Sequence, residues 1–496
     1  MKKLARLIPA IFCGALCSCA NVHLGPYEEY MTDTSDIGRQ ALPENDGWAA
    51  SAGRVTGGAT AAPENDVTVS TRKELFDAVA RAGTEPKIIR IRGTINLSSD
   101  DTGRELIAKD YAAPGYDFDA YVKTYAPAVW NKKLEANGRP VRDLPGPLEE
   151  AREASSERQR AQITLKITSN TTLIGIGADA KLIKGNLWIG PEAENVIIRN
   201  ISFEDAFDYF PAWDPADSFK IDKNYPGCQT NYVNAKTGPQ MCPGGRWNSE
   251  YDSISIHGGK RVWVDHCTFS DGDRPDKLFP PIYPFPHNEI TQKVQHHDGA
   301  VDVTNGSNLV TLSYNVFRDH DKTNLIGGSD SSKEDSDLLN VTFHHNLFEN
   351  VGQRMPRVRF GKVHLYNNAY LGDASGADDP SRNAYQNHLA SLNHKSTGPI
   401  MRSVIGVGKD SAIYSEANVF QIQHGGNEIA VFNQGGKNFL DKGSLVNGQP
   451  LDITKATGKP LDATSIWTPT LYGSNKVLPA SEVLDEVRAK AGAGKL

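Results

Sequence analysis

Trp263-Val264-Asp265-His266-Cys267-Thr268-Phe269 decides how this chain is read, because its pattern recurs. Ile197-Ile198-Arg199-Asn200-Ile201-Ser202-Phe203 comes before it. Thr311-Leu312-Ser313-Tyr314-Asn315-Val316-Phe317, Thr342-Phe343-His344-His345-Asn346-Leu347-Phe348 and His364-Leu365-Tyr366-Asn367-Asn368-Ala369-Tyr370 follow. Each copy has the alternation of a short strand and ends on an aromatic. The last three place Asn two residues before that aromatic. The aromatics are 66, 48, 31 and 22 residues apart. The shortest interval is one turn of a β-solenoid, and the longer ones are coils carrying loops or skipped copies. A single coil cannot bury its inward face. Equal positions on successive coils can, by stacking aromatics inside and aligning Asn amides at the turns. No helix pattern alternates with these strands, which disfavours a doubly wound sheet or an α/β barrel. The spacing is too irregular for propeller blades. The repeat predicts an all-β chain folded as a parallel β-helix.

Outward from the repeat, Ile88 to Ile95 alternates as a strand and follows a short amphipathic helix at Lys73 to Val79. Residues 98–162 are rich in charge and Ala, and Leu148 to Arg160 carries a Glu/Arg pattern suited to an exposed helix. They read as an insertion. The expected organisation is a signal over 1–18, a tether over 19–50 that packs on the body, a β-helix over 51–430 and a C-terminal extension over 431–496 packed on it. Ser481 to Ala489 is a helix candidate in that extension.

The chain has 496 residues, with 53 Lys and Arg against 60 Asp and Glu, a net charge of −7. Such a balance argues against nucleic acid, since neutralising phosphates needs a basic face. A polyanionic substrate would have to be held by a local basic site or a bridging cation. Lys2, Lys3 and Arg6 precede the short apolar run Leu7 to Leu16, the form of an export signal. Leu16-Cys17-Ser18-Cys19 resembles a bacterial lipoprotein box with Cys19 as the lipidated first residue, while Ser18 and Ala20 also fit plain cleavage after Ala20. Either reading makes the mature chain extracytoplasmic: a lipoprotein of the outer membrane or cell surface, or a secreted or periplasmic protein. Export permits disulfides, and Cys228 and Cys242 bracket a polar loop and are placed to pair. Cys267 lies in an apolar alternating stretch and reads as a buried free thiol.

Three groups of residues carry chemistry. Asp252, Asp298 and Asp302 are oxygen ligands of the kind calcium selects. Fully extended, Asp298 and Asp302 would be ~13 Å apart at ~3.3 Å per residue, so joint ligation needs a bend at Gly299. Asp-Gly is also a common turn signal, which leaves a structural reading open. His296-His297 and His344-His345 are adjacent pairs, whose side chains point to opposite faces of a strand; they read as ladder or core histidines. Arg354, Arg357 and Arg359 fall within six residues, with Lys322 on the preceding coil. Arg suits carboxylate recognition, although charged edge strands also occur. A cation site beside an Arg cluster describes a groove for a polycarboxylate.

Several ordered motifs closely resemble those of pectate lyases of polysaccharide lyase family one. They are Val262-Trp263-Val264-Asp265-His266, the segment from His297-Asp298-Gly299 to Asp302, and Gln353-Arg354-Met355-Pro356-Arg357-Val358-Arg359-Phe360-Gly361. Ser169 to Gly175, Asp205 to Pro215 and the closing Ala491 to Lys495 are similar to a bacillus-type subgroup. The resemblance implies a right-handed parallel β-helix and calcium-dependent β-elimination of de-esterified homogalacturonan, an α-1,4-linked polygalacturonate, giving 4,5-unsaturated oligogalacturonides. Asp252, Asp298 and Asp302 match the family's calcium ligands, and Arg354 matches its base. Lys322 and Arg359 match holders of substrate carboxylates, and Arg357 completes the basic cluster. Trp263, Asp265 and His266 match a structural motif. Met355 stands where a small residue is more usual, and the Cys228–Cys242 loop is long.

Elimination removes the proton on C5 of a galacturonate, next to its carboxylate. A free Arg keeps its proton at neutral pH, so an Arg base needs repulsion from Lys322, Arg357, Arg359 and calcium, and implies an alkaline optimum. A pectin lyase acting on methylated chains would lack the calcium carboxylates. A hydrolase would use paired carboxylic acids with water and leave the Arg cluster unexplained. A non-catalytic surface β-helix that binds pectin would have no need of a base. The expected state is a monomer.

Overall fold

The computed structural model describes residues 36–125, 130, 143–214, 220–222, 241–243, 246–276, 293–375, 400–463, 466–467 and 477–496. Its strands stack in parallel, coil upon coil, and one face is an eight-stranded sheet. In chain order its strands are β1 (Thr164–Ile167), β2 (Asn186–Ile189), β3 (Ile254–His257), β4 (Val301–Thr304), β5 (Leu325–Ile326), β6 (Arg357–Val358), β7 (Ile405–Val407) and β8 (Val431–Asn433). The repeat supplies the other two faces. Lys260–Asp265, Asn308–Ser313, Asn340–His344 and Lys362–Tyr366 pair in register along one of them. Thr268–Ser270, Val316–Lys322, Leu347–Gln353 and Ala369–Asp373 pair along the other.

The bend between those two faces explains the conserved phase of the repeat. His266, Tyr314, His345 and Asn367 take left-handed backbone there, with φ of 47–53°. The residue after the bend is Asn315, Asn346, Asn368 and then Asn418, and their amides form a ladder. Each Oδ1 accepts from the amide and backbone N–H of the Asn one coil before: Asn346 from Asn315 (3.0 and 2.9 Å), Asn368 from Asn346 (2.9 and 3.0 Å) and Asn418 from Asn368 (3.0 and 2.9 Å). Inside, Phe203, Phe269, Phe317, Phe348, Tyr370 and Phe420 form one column with centroid spacings of 4.7–5.1 Å. Such contacts add about 0.5–1.5 kcal/mol each beyond the area they bury. The column carries one more aromatic than the repeat disclosed: Val419-Phe420 follows Asn418 in the same phase.

A helix α1 (Arg72–Ala82) covers the first coils, started by a capping box between Thr71 and Glu74, and buries Leu75, Ala78 and Val79 in the core. The 98–162 segment holds helices at Ala108–Tyr111 and Phe118–Thr124 and the longer α2 (Pro147–Ile163). Contrary to its expected exposure, α2 buries a polar face. Arg152 pairs with Glu149 and donates to the Phe210 carbonyl (2.9 Å), Gln159 donates to the Phe207 carbonyl (2.6 Å), and Tyr251 donates to the Ser156 carbonyl (3.0 Å). Charge alternation marked α2 as solvated, but its charges satisfy backbone groups of the wall beside Asp252.

The coil stack also runs past 430. β8, Asn438–Lys442 and Leu445–Val446 make a further coil, so the boundary expected at 430 cuts through it. Ser444 there stands in place of the ladder Asn, accepting from the Asn418 N–H (3.0 Å), which is why the repeat did not reveal it. A final helix α3 (Ala480–Lys490) lies on the outside of the bend against Tyr314, Leu347, Ala369 and Val419. At the N-terminal side, Trp48 and Ala49 donate backbone N–H groups to Thr342 and Thr311 (2.9 and 3.1 Å), so the end of the expected tether packs on the body. Cys267 is a buried free thiol. The lipid attachment at Cys19 and the pairing of Cys228 with Cys242 lie outside the described residues.

Asn346→Ala removes four buried hydrogen bonds at mid-ladder. It is expected to cost on the order of 2–4 kcal/mol and to lower Tm by several degrees, while Ser444→Ala at the ladder's end costs visibly less. Thermal unfolding of the two variants checks this, and equal losses would contradict a cooperative ladder.

Candidate active site

The outer face of the eight-stranded sheet carries the polar residues singled out above. Leu187, Ile189, Ile254, Ile256, Val301 and Val303 point into the core, so the residues between them point outward. Trp188 stands beside Ser255, and Ser255 beside Asp302. Leu325 stands beside Arg357, and Arg357 beside Gly406. Sequence-distant groups thereby come to one surface, one coil apart.

Asp252 precedes β3 and is buried. Its Oδ1 accepts from the Gly299 N–H (2.8 Å) and its Oδ2 from Ser255 (2.6 Å), while Asn186 ties the Asp252 carbonyl (2.8 Å) and the Ser255 hydroxyl (3.0 Å) to β2. Asp302 on β4 is also buried and accepts from the Leu325 N–H (2.9 Å). These two carboxylates close on one point. A Cβ at Gly299 would overlap Asp302 Oδ1 and lie 2.8 Å from Asp252 Oδ1. The chain bends at Ala300, so β4 starts only at Val301. The backbone therefore departs from full extension between Asp298 and Asp302, and it is Asp252, rather than Asp298, that meets Asp302 beside Gly299. Burial first, then the Asp298 charge, pushes the Asp252 carboxyl up to about 6. Burial, Asp252 and Asp298 push Asp302 well above the ordinary carboxylate range.

Asp298 is partly exposed and is turned to the Lys322 ammonium, with which it forms an ion pair. Lys322 is buried and also donates to Asn248 (3.3 Å). Among the described residues, no three His, Cys, Asp or Glu side chains already stand as a set about one metal position. The donors nevertheless fit a hard cation. Two buried carboxylates aim at one place and a third lies within their electrostatic reach, an oxygen-rich set whose charge a divalent ion would offset.

The three Arg of the 354–359 segment differ. Arg354 follows Gln353, which stands beside Lys322, and has left-handed backbone with φ 61°. Its carbonyl accepts from Thr323 Oγ1 and the Asn324 N–H, both at 2.8 Å, and its buried Nε has no hydrogen-bond partner among the described residues. Its charge acts on Asp302. Arg357 lies on β6. Burial, then Arg359 and Arg354, push it down to about 10. Arg359 instead clamps the turn after β5: its Nε donates to Asp330 (2.7 Å) and its Nη1 to the Gly327 carbonyl (2.9 Å). The positive φ of Gly327 (86°) and its contact with the Arg359 carbonyl leave no room there for a side chain.

Sequence reasoning passed over the layer behind Asp298 and Lys322. His320 Nε2 donates to both their carbonyls (2.9 and 3.1 Å), and its Nδ1 meets Asp271. Although burial opposes it, Asp271 raises the His320 pKa. His297 lies between Asp276 (2.9 Å) and Asp205 (3.0 Å), and these carboxylates with Asp271 hold its pKa well above the usual value despite burial. His296 turns the other way, to the Asp208 carbonyl (2.8 Å) and a stack on Phe207, in keeping with a core role. His344 and His345 instead meet each other, with their Nδ1 atoms 2.9 Å apart, while stacking on Tyr366 and Tyr314 within the buried ladder. The density of ionisable groups in Asp319-His320-Asp321-Lys322 is the signal that could have disclosed the layer behind Asp298 and Lys322, and left-handed backbone at Asp319 (φ 51°) interrupts the strand alternation there. Trp263, Asp265 and His266 are buried in another layer, where Asp265 pairs with Arg199 (2.8 Å) and accepts from Ser313 (2.7 Å).

A family model described as pectate lyase matches residues 147–226 and 230–496. A pectate lyase of Bacillus subtilis (strain 168) is 40% identical over 467 residues, covering 94% of this chain and 95% of the relative. Pectate lyase E of Dickeya dadantii (strain 3937) is 30% identical over 460 residues, covering 91% and 86%. Among solved structures, a mutant of the Bacillus subtilis pectate lyase aligns with a TM-score of 0.76 at 39% identity, over 93% of this chain and 100% of that one. A pectate lyase bound to a hexasaccharide aligns equally well, with a TM-score of 0.76, 39% identity and the same coverage of both chains.

Two predictions follow from the converging carboxylates. Carboxyls whose folded pKa lies above the unfolded value contribute stability at low pH that is lost as pH rises through the folded pKa, about 6 for Asp252. In chelator, Asp302→Asn relieves this repulsion. Its Tm is expected to match wild type near pH 4 and to exceed it by a few degrees at pH 8, on the order of 1–3 kcal/mol; equal differences at both pH values would refute the repulsion. Gly299→Ala is expected to fold with a loss of roughly 1–3 kcal/mol and to lack the calcium-induced rise in Tm expected of wild type. A full calcium response in that variant would separate the two carboxylates.

Proposed function

This chain belongs to the pectate lyase family, and from that premise we propose that it cleaves de-esterified homogalacturonan by calcium-dependent β-elimination, with Arg354 as the base. The observation that carries the reading is the juxtaposition of the Asp252–Asp302 pair with Lys322 and Arg354 on adjoining coils. Asp252, Asp298 and Asp302 would hold the calcium ion. When bound, calcium supplies a Lewis acid that withdraws charge from the substrate carboxylate.

Everything else falls to the chain's own residues. Lys322, fixed by Asp298 and Asn248, offers an ammonium to the carboxylate of the reacting galacturonate, lowering the pKa of the C5 proton and stabilising the enolate-like transition state. Arg354 receives that proton. The electron pair of the C5–H bond forms the C4–C5 double bond, and the 4-linked sugar oxygen leaves. No attacking water is needed. The fixed carbonyl of Arg354 and the buried setting of its Nε support a side chain preorganised for this task. Arg357 presents a second cation on the same face. Arg359 can reach substrate only by sharing its bonds to the turn after β5.

Purified mature protein with polygalacturonate and calcium is expected to produce ultraviolet absorbance from unsaturated ends, none with chelator, and little with highly methylated pectin. Arg354→Ala is expected to lower the rate by about 10²–10⁴-fold. Because a guanidinium must first give up its proton to act as a base, the rate rises from neutral into alkaline pH, and a maximum in mild acid would contradict the assignment. Reducing ends without absorbance would mean hydrolysis. Calcium-dependent binding without products would mean a binding protein.

A further inference from the structure

The outer row that contains Asp302 continues beyond the carboxylates. Lys166 on β1 stands beside Trp188 on β2, and Trp188 beside Ser255. Trp188 is half-buried between the inward Leu187 and Ile189, so its indole lies on the outer face. His257, two residues beyond Ser255 on β3, backs it with a ring centroid 4.5 Å away at an interplanar angle of 32°. His257 is itself fixed by Asn305 at Nε2 (2.7 Å) and by Thr304 at Nδ1 (3.4 Å). Strands lie about 4.8 Å apart, which puts the indole about two strand spacings from Asp302. Asn186, on the same strand as Trp188, holds the Asp252 carbonyl and the Ser255 hydroxyl. Platform and carboxylates therefore share one rigid strand.

We propose that Trp188, backed by His257 and flanked by Lys166, is a stacking platform for an outlying uronate residue of the polysaccharide chain bound at the carboxylates, and that it favours long chains over short ones. The proposal rests on the reading of this face as a polygalacturonate groove. A pyranose presents a face of C–H bonds that packs on an indole, while a uronate adds a carboxylate at the ring edge. Trp188 meets the first requirement. Lys166, exposed and next in the row, meets the second. A tryptophan serving only to cover the sheet would need neither the cation beside it nor alignment with the carboxylates.

The test compares wild type, Trp188→Ala, Trp188→Phe and Lys166→Ala on trigalacturonate and on polygalacturonate, with calcium. For Trp188→Ala, KM on the polymer is expected to rise by about five- to tenfold, with kcat within about twofold of wild type and KM on the trimer unchanged. Trp188→Phe restores most of the loss, and Lys166→Ala gives a smaller, salt-sensitive rise. An equal change on both substrates, or none on the polymer, overturns the platform. Migration in native gels containing polygalacturonate separates this from the cleavage reading. Wild type retarded more than Trp188→Ala, yet releasing no unsaturated product, keeps the platform and defeats the lyase. Equal migration of the two proteins overturns the platform whatever the activity.

Discussion

In-register parallel stacking is the constraint from which the active face follows. Once equal positions of successive coils pair, outward side chains must form rows, and residues dozens of positions apart in sequence become neighbours at a strand spacing. A slip of one residue would turn a row's polar groups inward and its apolar partners outward. Two devices hold the phase: the column from Phe203 to Phe420 inside and the amide ladder from Asn315 to Asn418 at the bend. Neither touches the carboxylates, yet both determine that Ser255 stands beside Asp302 and Gln353 beside Lys322. The catalytic proposal thus depends on packing at the far side of the coil.

Rows alone would leave Asp252 and Asp298 poorly fixed, because both precede their strands. The wall built from the 98–162 insertion and the segments after Glu204 supplies what the coil lacks. Helix α2 satisfies the carbonyls of Phe207 and Phe210 and receives the Tyr251 hydroxyl. The His297 and His320 layer sits under Asp298 and Lys322, with His320 donating to both carbonyls. Buried histidines packed against the Asp205, Asp271 and Asp276 carboxylates are costly to bring together, and removing one would leave buried carboxylates without partners. Such a layer holds two oppositely charged side chains at one distance better than loop backbone could.

The coil architecture was legible because its signals are local and repeated: a strand, an Asn and an aromatic in fixed phase. It faded where the repeat did, at Ser444, so the last coil was placed in the extension. The site was legible where identity alone limits the chemistry, as for three Asp and three Arg in recognisable motifs. The convergence at Gly299 was not, since it requires knowing that β4 begins at Val301. Nor was the supporting layer, whose members come from residues 205, 271, 276, 297 and 320 and share no local pattern. The burial of α2 was missed for a related reason. Alternating charge looks the same whether its partners are water or a neighbouring segment's carbonyls.

The segment from Arg354 to Arg359 shows how one short motif is divided by backbone geometry. Left-handed φ at Arg354 turns it out of the strand alternation, Arg357 lies within β6, and Arg359 is drawn to the turn at Gly327. Burial, with the charges of Arg359 and Arg354 added, lowers the pKa of Arg357. Two strands earlier, before Leu325 on β5, the charges are reversed, with buried carboxylates repelling one another. An acidic coil near a basic one would gain little from either alone against a polyanion. With a cation on the acidic side, both become attractive, and the uronate carboxylates meet positive charge along the row. On the proposed reading, this local arrangement, rather than the net charge of −7, would let an acidic protein hold an acidic polymer, and it would tie substrate binding to the ion of the proposed elimination.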